Sequence, residues 1–588
     1  MSFGFDFGDR FLIRICFGNM NRTFLQSWRG VFFFLLFFSL LSCPSYAQSP
    51  VVIHVDAGKA LGPLAPVWDY FGYDEPNYTY MQHGRELIDE LAALGPEAVQ
   101  IRTHNLLTTG DGVAALKWGS TNAYTEDASG HPVYDWKIVD RILDTYAEAG
   151  AKPLVEIGFM PQAMSTHPEP YRHHWPKDEL YVGWTYPPKD YAKWAELIHE
   201  WVMHCIARYG KNAVATWNWE VWNEPNIGYW HGTPEEYDKL YDYTVDAVRR
   251  ALPEAHVGGP ATTGPAEEKA AAYLRQFLQH CANGGNFATG KTGAPLDFIT
   301  FHAKGVPAVK DGRVRMGLAN ELRDVDRGLE IIGSFPQFAH LSVILSEADP
   351  EGCAACSAHD HPQNDYRNGT LYPAYTAAAL RNILELNERR RSNLTGILTW
   401  AFEFEDQPYF YGYRTLATNG VDKPVLNLFR MLGLMSSERL ALTSSGMIGV
   451  DEILKSGVRD AADVDGLAAR GDRALTVLVW NYHDEEAGGT DAAVQLGVSG
   501  LGISEKSADA RKILVCHYRI DQEHSNSYTV WKAMGSPQSP TSEQYAALKA
   551  AAQLQLLESP RWVESKDGVV NLNFSLPRES VSLVELSW

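Results

Sequence analysis

The feature that most restricts the fold of this chain is a long alternation of short apolar runs with amphipathic helical stretches, between about residues 52 and 434. The apolar runs have the length and the β-branched or aromatic content of buried strands. They include segments 98–102, 153–157, 216–222, 298–301, 343–346 and 396–402. No glycine-rich phosphate loop follows the first of them, which disfavours a nucleotide-binding sheet. About 380 residues of this alternation predict an α/β fold, a (β/α)8 TIM barrel with enlarged loops.

The pattern changes after about residue 435. Segments 474–480, 493–498, 513–518 and 581–588 have the character of strands in a β-sandwich. Between them, the alanine-rich segment 541–557 is predicted to be helical and to pack back on the barrel. We therefore expect a catalytic barrel at residues 48–435 and a β-sandwich accessory domain with a helical insertion at residues 436–588.

The N-terminus has the features of an export signal. An apolar run at residues 31–41 follows Arg22 and Arg29 and precedes a small-x-Ala site that ends at Ala47. Residues 1–47 are thus predicted to be a signal peptide that directs the protein to the periplasm or the extracellular space. Met20 is an alternative start, which would make residues 1–19 a mis-called extension.

The same apolar run is too short for a membrane span, which needs roughly 20 apolar residues. Residues 40–43 read Leu-Leu-Ser-Cys, which resembles a bacterial lipobox, so a lipid anchor at Cys43 is the alternative to cleavage after Ala47. The net charge of −21 argues against nucleic acid as a partner, because phosphates would be repelled.

The segment 217–226, WNWEVWNEPN, places a carboxylic acid where an aromatic strand ends. Pro225 cannot continue the strand's hydrogen-bond ladder. Glu224 therefore lies at a strand break, with an amide beside it and indoles around it. Indoles stack on sugars, and an apolar wall raises a carboxyl pKa, so the site suits protonation of a glycosidic oxygen. The alternative is a buried strand that simply ends in a turn.

A second strand end repeats this pattern. Strand 343–346 leads into Glu347-Ala348-Asp349-Pro350, again a carboxylate before a proline break. Glu347 follows Glu224 by 123 residues, or three β-α units of roughly 40 residues, so the two can face each other across the barrel mouth. Two carboxyls about 5–5.5 Å apart define a retaining glycosidase.

At these residues the chain resembles the (β/α)8 glycoside hydrolases of clan A, and more narrowly glycoside hydrolase family 39. That family includes β-xylosidases and α-L-iduronidases. The segments that carry the resemblance are 101–105 (IRTHN), 217–226, 301–305 (FHAKG) and 346–350 (SEADP). Two further segments, 71–77 (FGYDEPN) and 349–356 (DPEGCAAC), are most similar to the bacterial β-xylosidases.

The resemblance implies a retaining mechanism without a cofactor or a catalytic metal. Glu224 would be the acid/base and Glu347 the nucleophile. Asn223 would hydrogen-bond the sugar 2-hydroxyl. Arg102 would hold the nucleophile ionised, or form a structural ion pair with Glu220, and the two roles are compatible.

Further residues are expected to bind the substrate, an oligosaccharide. His104 and His302 lie at strand ends, and Trp400 could stack on the sugar. Lys304 and Arg414 pose a question of specificity, because xylose carries no charge whereas iduronide carries a carboxylate. Alternatively, Lys304 pairs with Glu405 or Asp406 and bonds neutral hydroxyls.

We expect an exported retaining exo-β-xylosidase that removes terminal xylosyl residues from xylo-oligosaccharides. The alternatives are a glycosidase for an acidic sugar, of α-L-iduronidase type, and a non-catalytic carbohydrate-binding protein. Three states remain open for the cysteine pair Cys353 and Cys356, which His359 and His361 follow. They are a local disulfide, free thiols or a zinc site.

Overall fold

Residues 49–173, 180–486, 488–502 and 512–588 are described by the computed structural model. The predicted signal peptide and Cys43 lie outside these residues. Eight parallel strands close into a barrel in which each strand pairs with the next along the chain and the eighth pairs with the first. The predicted TIM barrel is confirmed. Its strands are Tyr70–Tyr73, Gln100–Thr103, Lys152–Ile157, Asn218–Val221, His256–Thr262, Phe298–Lys304, Ser342–Asp349 and Asn393–Trp400.

A helix follows each barrel strand, and local sequence defines several helix ends. Asp190 caps the third helix by accepting hydrogen bonds from two backbone amides, and Thr233 forms a capping box with Glu236 at the fourth. The eight helices are Gln82–Ala92, Lys137–Ala149, Tyr191–Tyr209, Pro234–Ala251, Glu268–Asn283, Leu318–Gly333, Leu371–Arg390 and Pro424–Gly433.

The first and fifth barrel strands were not identified in the sequence, because glycine interrupts both. A Cβ atom on Gly72 would lie 2.6 Å from the Trp400 ring, and one on Gly258 would lie 2.4 Å from the carbonyl oxygen of Phe298. Both glycines are therefore needed where backbone and neighbouring groups approach closely, although glycine lowers the strand signal of its segment.

The second part of the fold is a β-sandwich. One long sheet curls so that strands far apart in its order share a single apolar core. The helical insertion, Ser527–Ala533 and Ser542–Ala551, packs through Trp531 and Leu548 on Phe410 and Val421 of the barrel loops, as expected. The sandwich strands after the barrel are Glu438–Ser444, Asp463–Arg470, Ala474–Tyr482, Ala492–Ser499, Lys512–Ile520, Gln555–Leu556, Arg561–Glu564, Val570–Leu576 and Ser580–Ser587.

The division of the chain differs from the sequence-based one at its start. Val51–Pro63, which we had assigned to the barrel region, is a strand of the sandwich. It pairs antiparallel with Glu438–Ser444 and parallel with Ala492–Ser499. The reason is its alternating pattern, which buries Ile53 and Val55 in the sandwich core. The chain thus enters the sandwich before it forms the barrel.

The remaining elements are short. The described helices include none with the length and apolar character that a membrane crossing requires. The short elements are the hairpins Tyr124–Glu126/Pro132–Tyr134, Tyr171–His173/Leu180–Gly183, Ala308–Lys310/Arg313–Arg315 and Ala417–Thr418/Val421–Asp422, the 3-10 helices Pro76–Tyr78 and Pro362–Asn368, and the helices Lys211–Val214 and Val450–Ser456.

Strand Ala474–Tyr482 joins the two parts of the fold. Its alternate residues Leu475, Val477 and Val479 face the sandwich core, whereas Trp480 and Tyr482 belong to the core shared with the barrel. The indole N–H of Trp480 donates to Asp463, 2.9 Å away. One strand therefore stabilises both cores.

We predict that Trp480→Ala destabilises the protein by about 3–5 kcal/mol, because it leaves a large cavity in a buried core and removes the donor to one oxygen of Asp463. Denaturant unfolding monitored by circular dichroism measures the change. Trp562→Ala is the control, since that indole is 63% exposed, and it should change stability by less than about 0.5 kcal/mol. Equal effects of the two substitutions would contradict this account of the junction.

Candidate active site

Glu224 lies just beyond the fourth barrel strand, on an unusual stretch of backbone. Trp222 and Glu224 have φ of +73° and +43°, in the left-handed region that non-glycine residues rarely adopt. The turn is held where the amide of Glu224 donates to the carbonyl of Ala261 (2.9 Å) and the indole of Trp222 donates to the carbonyl of Tyr229 (2.7 Å). Such local strain is characteristic of functional sites.

Glu347 lies on the seventh strand, Ser342–Asp349, and approaches Glu224 across the barrel mouth. One carboxylate oxygen from each glutamate and a ring nitrogen of His302 all lie within 4.8 Å of one another. The Glu347 side chain is 5% exposed and that of Glu224 is 14% exposed. The two carboxylates are thus close enough to act on the same bond.

Four nitrogen groups surround the Glu347 carboxylate. The Nζ of Lys304 lies 2.9 Å away and Nη1 of Arg102 lies 3.2 Å away. His104 and His302 are at 3.5 and 3.7 Å. Burial alone would raise the pKa of Glu347, but His302, Lys304, His104 and Arg102 together hold it well below its usual range. Glu347 is therefore ionised at neutral pH, as a nucleophile must be.

His302 connects the two glutamates. Its Nδ1 lies 2.9 Å from Oε1 of Glu224 and 3.7 Å from Oε2 of Glu347. The ring is fully buried, and its Nε2 has no hydrogen-bond partner among the described residues. The imidazole therefore fixes the position of the Glu224 carboxyl relative to Glu347.

Arg102 has both of the roles considered from the sequence. Its Nε pairs with Glu220 at 2.5 Å, while Nη1 contacts Glu347. Its Nη2 donates to Oδ1 of Asn223 at 3.0 Å, which defines the orientation of that amide. The Nδ2 of Asn223 is then the remaining donor, and no residue in the described part of the chain accepts from it. This free donor beside the carboxylates is what a sugar hydroxyl would use.

His104 belongs to a network that the sequence analysis missed. Its Nδ1 lies 2.7 Å from Asp74 and its Nε2 lies 3.3 Å from Glu156. Burial would lower the pKa of His104, but Glu156 and Asp74 raise it to about 9. Lys117 holds Asp74 from the other side at 2.6 Å. The signal for Asp74 was present: Asp74-Glu75-Pro76 is another carboxylate before a proline at a strand end.

Trp400 and Arg414 occupy different positions relative to the site. The Trp400 ring packs 4.4 Å from the His104 ring, and the guanidinium of Arg102 lies 5.1 Å from the indole centre. Arg414 is fully buried, donates to the carbonyl of Trp400 (2.8 Å) and pairs with Glu351. The structure therefore brings Trp400 to the site but holds Arg414 behind it.

Lys304, at the end of the sixth strand Phe298–Lys304, pairs with acidic groups other than those expected. Its Nζ lies 2.9 Å from Glu347 and 3.1 Å from Asp349, not against Glu405 or Asp406. Glu405 instead accepts the backbone amide of His83. The cause is geometric, because the sixth and seventh strands pair directly, with Lys304 opposite Asp349.

A cavity of about 630 Å³ opens at this site. Glu224 and Lys304 are part of its wall, together with loops after the third to seventh strands. The other lining residues are Tyr171, Ile227, Gly228, Tyr229, Thr263, Gly264, Ala266, Glu267, Val306, Asn320, Arg323, Asp324 and Gly352.

Cys353 and Cys356 form a disulfide, with Cα atoms 5.4 Å apart, so this is the one of the three open states that the structure contains. The buried guanidinium of Arg367 donates to the carbonyls of Cys353 and Cys356. It thereby supports the loop that follows the seventh strand. His359 stacks on Tyr411 instead of approaching the sulfurs.

Among the described residues, the one group of three His, Cys, Asp or Glu side chains spaced to hold a metal is Glu224, His302 and Glu347. Lys304 and Arg102 both lie within 3.2 Å of Glu347. Their charges would oppose a bound cation. The arrangement fits acid/base and nucleophilic roles better than metal binding.

Comparison with known proteins identifies the family of this chain. The family model for glycosyl hydrolases family 39 matches residues 51–570. The chain belongs to this family. A β-xylosidase from Geobacillus stearothermophilus is 28% identical over 502 residues, which cover 83% of this chain and 86% of the relative. An α-L-iduronidase from Mus musculus is 26% identical over 583 residues, covering 94% and 83%.

Solved structures show the same fold. A bacterial orthologue of human α-L-iduronidase superposes with a TM-score of 0.71 at 22% identity, covering 91% of this chain and 84% of that one. Both kinds of family 39 enzyme are thus similar to this chain, which is a glycoside hydrolase.

We predict that Lys304→Met moves the acidic limb of the kcat/KM profile to higher pH by about one unit, because the Glu347 carboxylate loses its nearest cation. Activity is lost when Glu347 takes up a proton, so a raised pKa causes that loss at higher pH. Initial rates across a pH series measure the limb. Lys310→Met is the control at an exposed lysine. An unmoved limb in Lys304→Met would contradict the assigned role of this lysine.

Proposed function

We propose that the protein is a retaining exo-β-xylosidase that releases terminal xylosyl residues from xylo-oligosaccharides. The observation that carries the proposal is the pair of Glu224 and Glu347, whose oxygens approach within 4.8 Å at the mouth of a barrel. Such a close approach of one oxygen from each carboxyl supports double displacement, since inverting enzymes hold the two carboxyls about 6.5–9.5 Å apart to admit a water.

In the first step, a carboxylate oxygen of Glu347 bonds to the anomeric carbon while Glu224 gives its proton to the glycosidic oxygen. The bond from the anomeric carbon to the leaving group breaks, and the sugar becomes an ester of Glu347. In the second step, Glu224 takes a proton from water, whose oxygen bonds to the anomeric carbon as the ester bond breaks. Both glutamates return to their starting state, and the product keeps its configuration.

The charges around the cavity support a neutral sugar. Lys304 is already paired with Glu347 and Asp349, and Arg414 is buried against Glu351 outside the cavity wall. Among the described residues, the wall contains the carboxylates of Glu224, Glu267 and Asp324 and two cations, Lys304 and Arg323. A sugar carboxylate would therefore meet little uncompensated positive charge.

The depth of the nucleophile supports action at chain ends. Glu347 is almost buried, so a polysaccharide that crossed an open groove would not bring an internal bond to it, whereas a terminal residue can enter. We propose that the enzyme acts after export, in keeping with the export signal predicted for residues 1–47.

A glycosidase for an acidic sugar is the second candidate, and Lys304 is the observation that favours it. This ammonium lines the cavity beside the nucleophile, and binding a sugar carboxylate would need only a change of partner from Asp349. The similarity to α-L-iduronidases is consistent with this alternative.

Paired substrates separate these candidates. We expect hydrolysis of an aryl β-D-xyloside at least about 100-fold faster, in kcat/KM, than of an aryl α-L-iduronide, because an unneutralised sugar carboxylate costs several kcal/mol. Continuous release of the aryl alcohol measures both. Proton NMR of the xyloside reaction should detect β-xylose before its mutarotation. Activity on the iduronide alone would reject the xylosidase, and α-xylose as the first product would reject retention.

The two glutamates should respond differently to substitution. In Glu224→Ala, we expect kcat/KM, which reports the first step, to fall by about 10³-fold for a xyloside with a poor leaving group but far less for one with a good leaving group, which needs no protonation. Glu347→Gln should abolish turnover of both substrates. The ratio of rates on the two substrates is the measurement. A Glu224→Ala enzyme with the same loss on both would contradict the acid role.

A further inference from the structure

The accessory region contacts the active site through the segment that follows the sixth barrel strand. After Lys304, the chain forms the hairpin Ala308–Lys310/Arg313–Arg315 and then the helix Leu318–Gly333. These elements supply Val306, Asn320, Arg323 and Asp324 to the cavity wall. The contacts that hold this segment in place therefore shape the cavity.

The hairpin is held by a loop of the sandwich, residues 484–486. The amide of Met316 donates to the carbonyl of Asp484 (2.6 Å), and the amide of Glu486 donates to the carbonyl of Val314 (3.0 Å). Arg315 and Glu485 form an ion pair at the same place. The sandwich loop thus extends the barrel hairpin by an antiparallel bridge.

The helix Leu318–Gly333 is held by a second element of the accessory region, the short helix Val450–Ser456. The guanidinium of Arg323 donates to the carbonyls of Leu454 (2.8 Å) and Lys455 (3.3 Å). These carbonyls lie at a helix C-terminus, where they have no partner within the helix. The same guanidinium donates to Asn320, which in turn donates to the carbonyl of Gly305 at 2.6 Å.

Asp324 connects the helix Leu318–Gly333 to the residues around Glu347. One oxygen of Asp324 accepts the backbone amide of Lys304 (3.1 Å), and the other accepts the amide of Ala266 (3.0 Å). Asp324 therefore ties the end of the sixth strand to the turn after the fifth. The ammonium of Lys304 then contacts Glu347.

We propose that the accessory region, residues 436–588, is a positioning element of the active site: it holds the 305–324 segment and thereby sets the place of Lys304 beside Glu347. The proposal assigns Glu485, Arg315 and Arg323 as positioning residues, and it rests on the proposed function for its kinetic consequence. The accessory region then has a catalytic purpose without binding any ligand itself.

Glu485→Gln in the full chain is the main test, because Glu485 lies outside the cavity wall and its carboxylate forms the ion pair with Arg315. We expect amide hydrogen exchange in residues 305–324 of the free enzyme to accelerate about tenfold, since local opening becomes easier. We also expect kcat/KM to fall about three- to tenfold, mainly in kcat, because Lys304 is less well placed. Glu347 is faced by four nitrogen groups, those of Lys304, Arg102, His104 and His302. When Lys304 is displaced, the acidic limb of the kcat/KM profile should therefore move to higher pH by about 0.3 pH unit.

Glu438→Gln is the matched control, since it breaks an exposed ion pair with Arg470 that lies within the sandwich. It should leave exchange in residues 305–324 and kcat/KM unchanged, with a melting temperature within about 1 °C of Glu485→Gln. Arg315→Gln combined with Glu485→Gln should be no worse than either alone, because both remove one interaction.

Arg323→Ala tests the second contact and should accelerate exchange in the same segment more strongly, because it frees two helix-end carbonyls and Asn320. Unchanged exchange in both Glu485→Gln and Arg323→Ala would overturn the proposal, as would an equal response of Glu438→Gln. The exchange measurement needs no substrate, so it still decides the proposal if aryl xylosides are not hydrolysed and the proposed function fails.

Discussion

The buried negative charge of Glu347 is the constraint on which the rest of the site depends. A carboxylate with almost no exposure to water would normally take up a proton, because burial disfavours its charged form. Arg102 and His104 from the second strand, and His302 and Lys304 from the sixth, offset that cost. These strands meet only when the barrel closes. The charged state of Glu347 therefore depends on the closed barrel.

Each of these nitrogen groups also contacts a further carboxylate, which for His302 is Glu224. Arg102 pairs with Glu220, His104 with Asp74 and Glu156, and Lys304 with Asp349. Because nitrogen groups and carboxylates alternate in this way, few side chains are free to change position. This suits a reaction that depends on fixed geometry. It also leaves little positive charge for a ligand, and this is the basis on which we propose a neutral sugar as the substrate.

Much of this site could be predicted from the sequence, for a physical reason. Glu224 and Glu347 both follow strand-like runs and both precede a proline break, and a barrel brings strand ends together. The same reasoning could have found Asp74, which has the same signature. Lys117 and Glu156 could not be found this way, because Lys117 lies in a long loop and Glu156 lies inside a strand, where a carboxylate has no distinctive pattern.

The fold was predictable to a similar degree, and its errors have local causes. Strand-like runs identified six of the eight barrel strands, whereas Gly72 and Gly258 obscured the other two. The place of Val51–Pro63 in the sandwich depends on pairing with segments almost 400 residues away, for which the strand itself contains no signal. The partners of Lys304 likewise depend on the register between two strands, which periodicity does not specify.

The central claim is that Glu347 becomes covalently bonded to the sugar. A 2-deoxy-2-fluoro-β-xyloside with a good leaving group should glycosylate Glu347 as its leaving group departs, and the fluorosugar should then be released slowly, because fluorine disfavours both positively charged transition states. Peptide mass spectrometry after brief digestion should locate the fluorosugar on Glu347, in the peptide that contains Ser346 and Asp349. A label on any other residue, or an unlabelled enzyme that still hydrolyses β-xylosides with retention, would contradict this account.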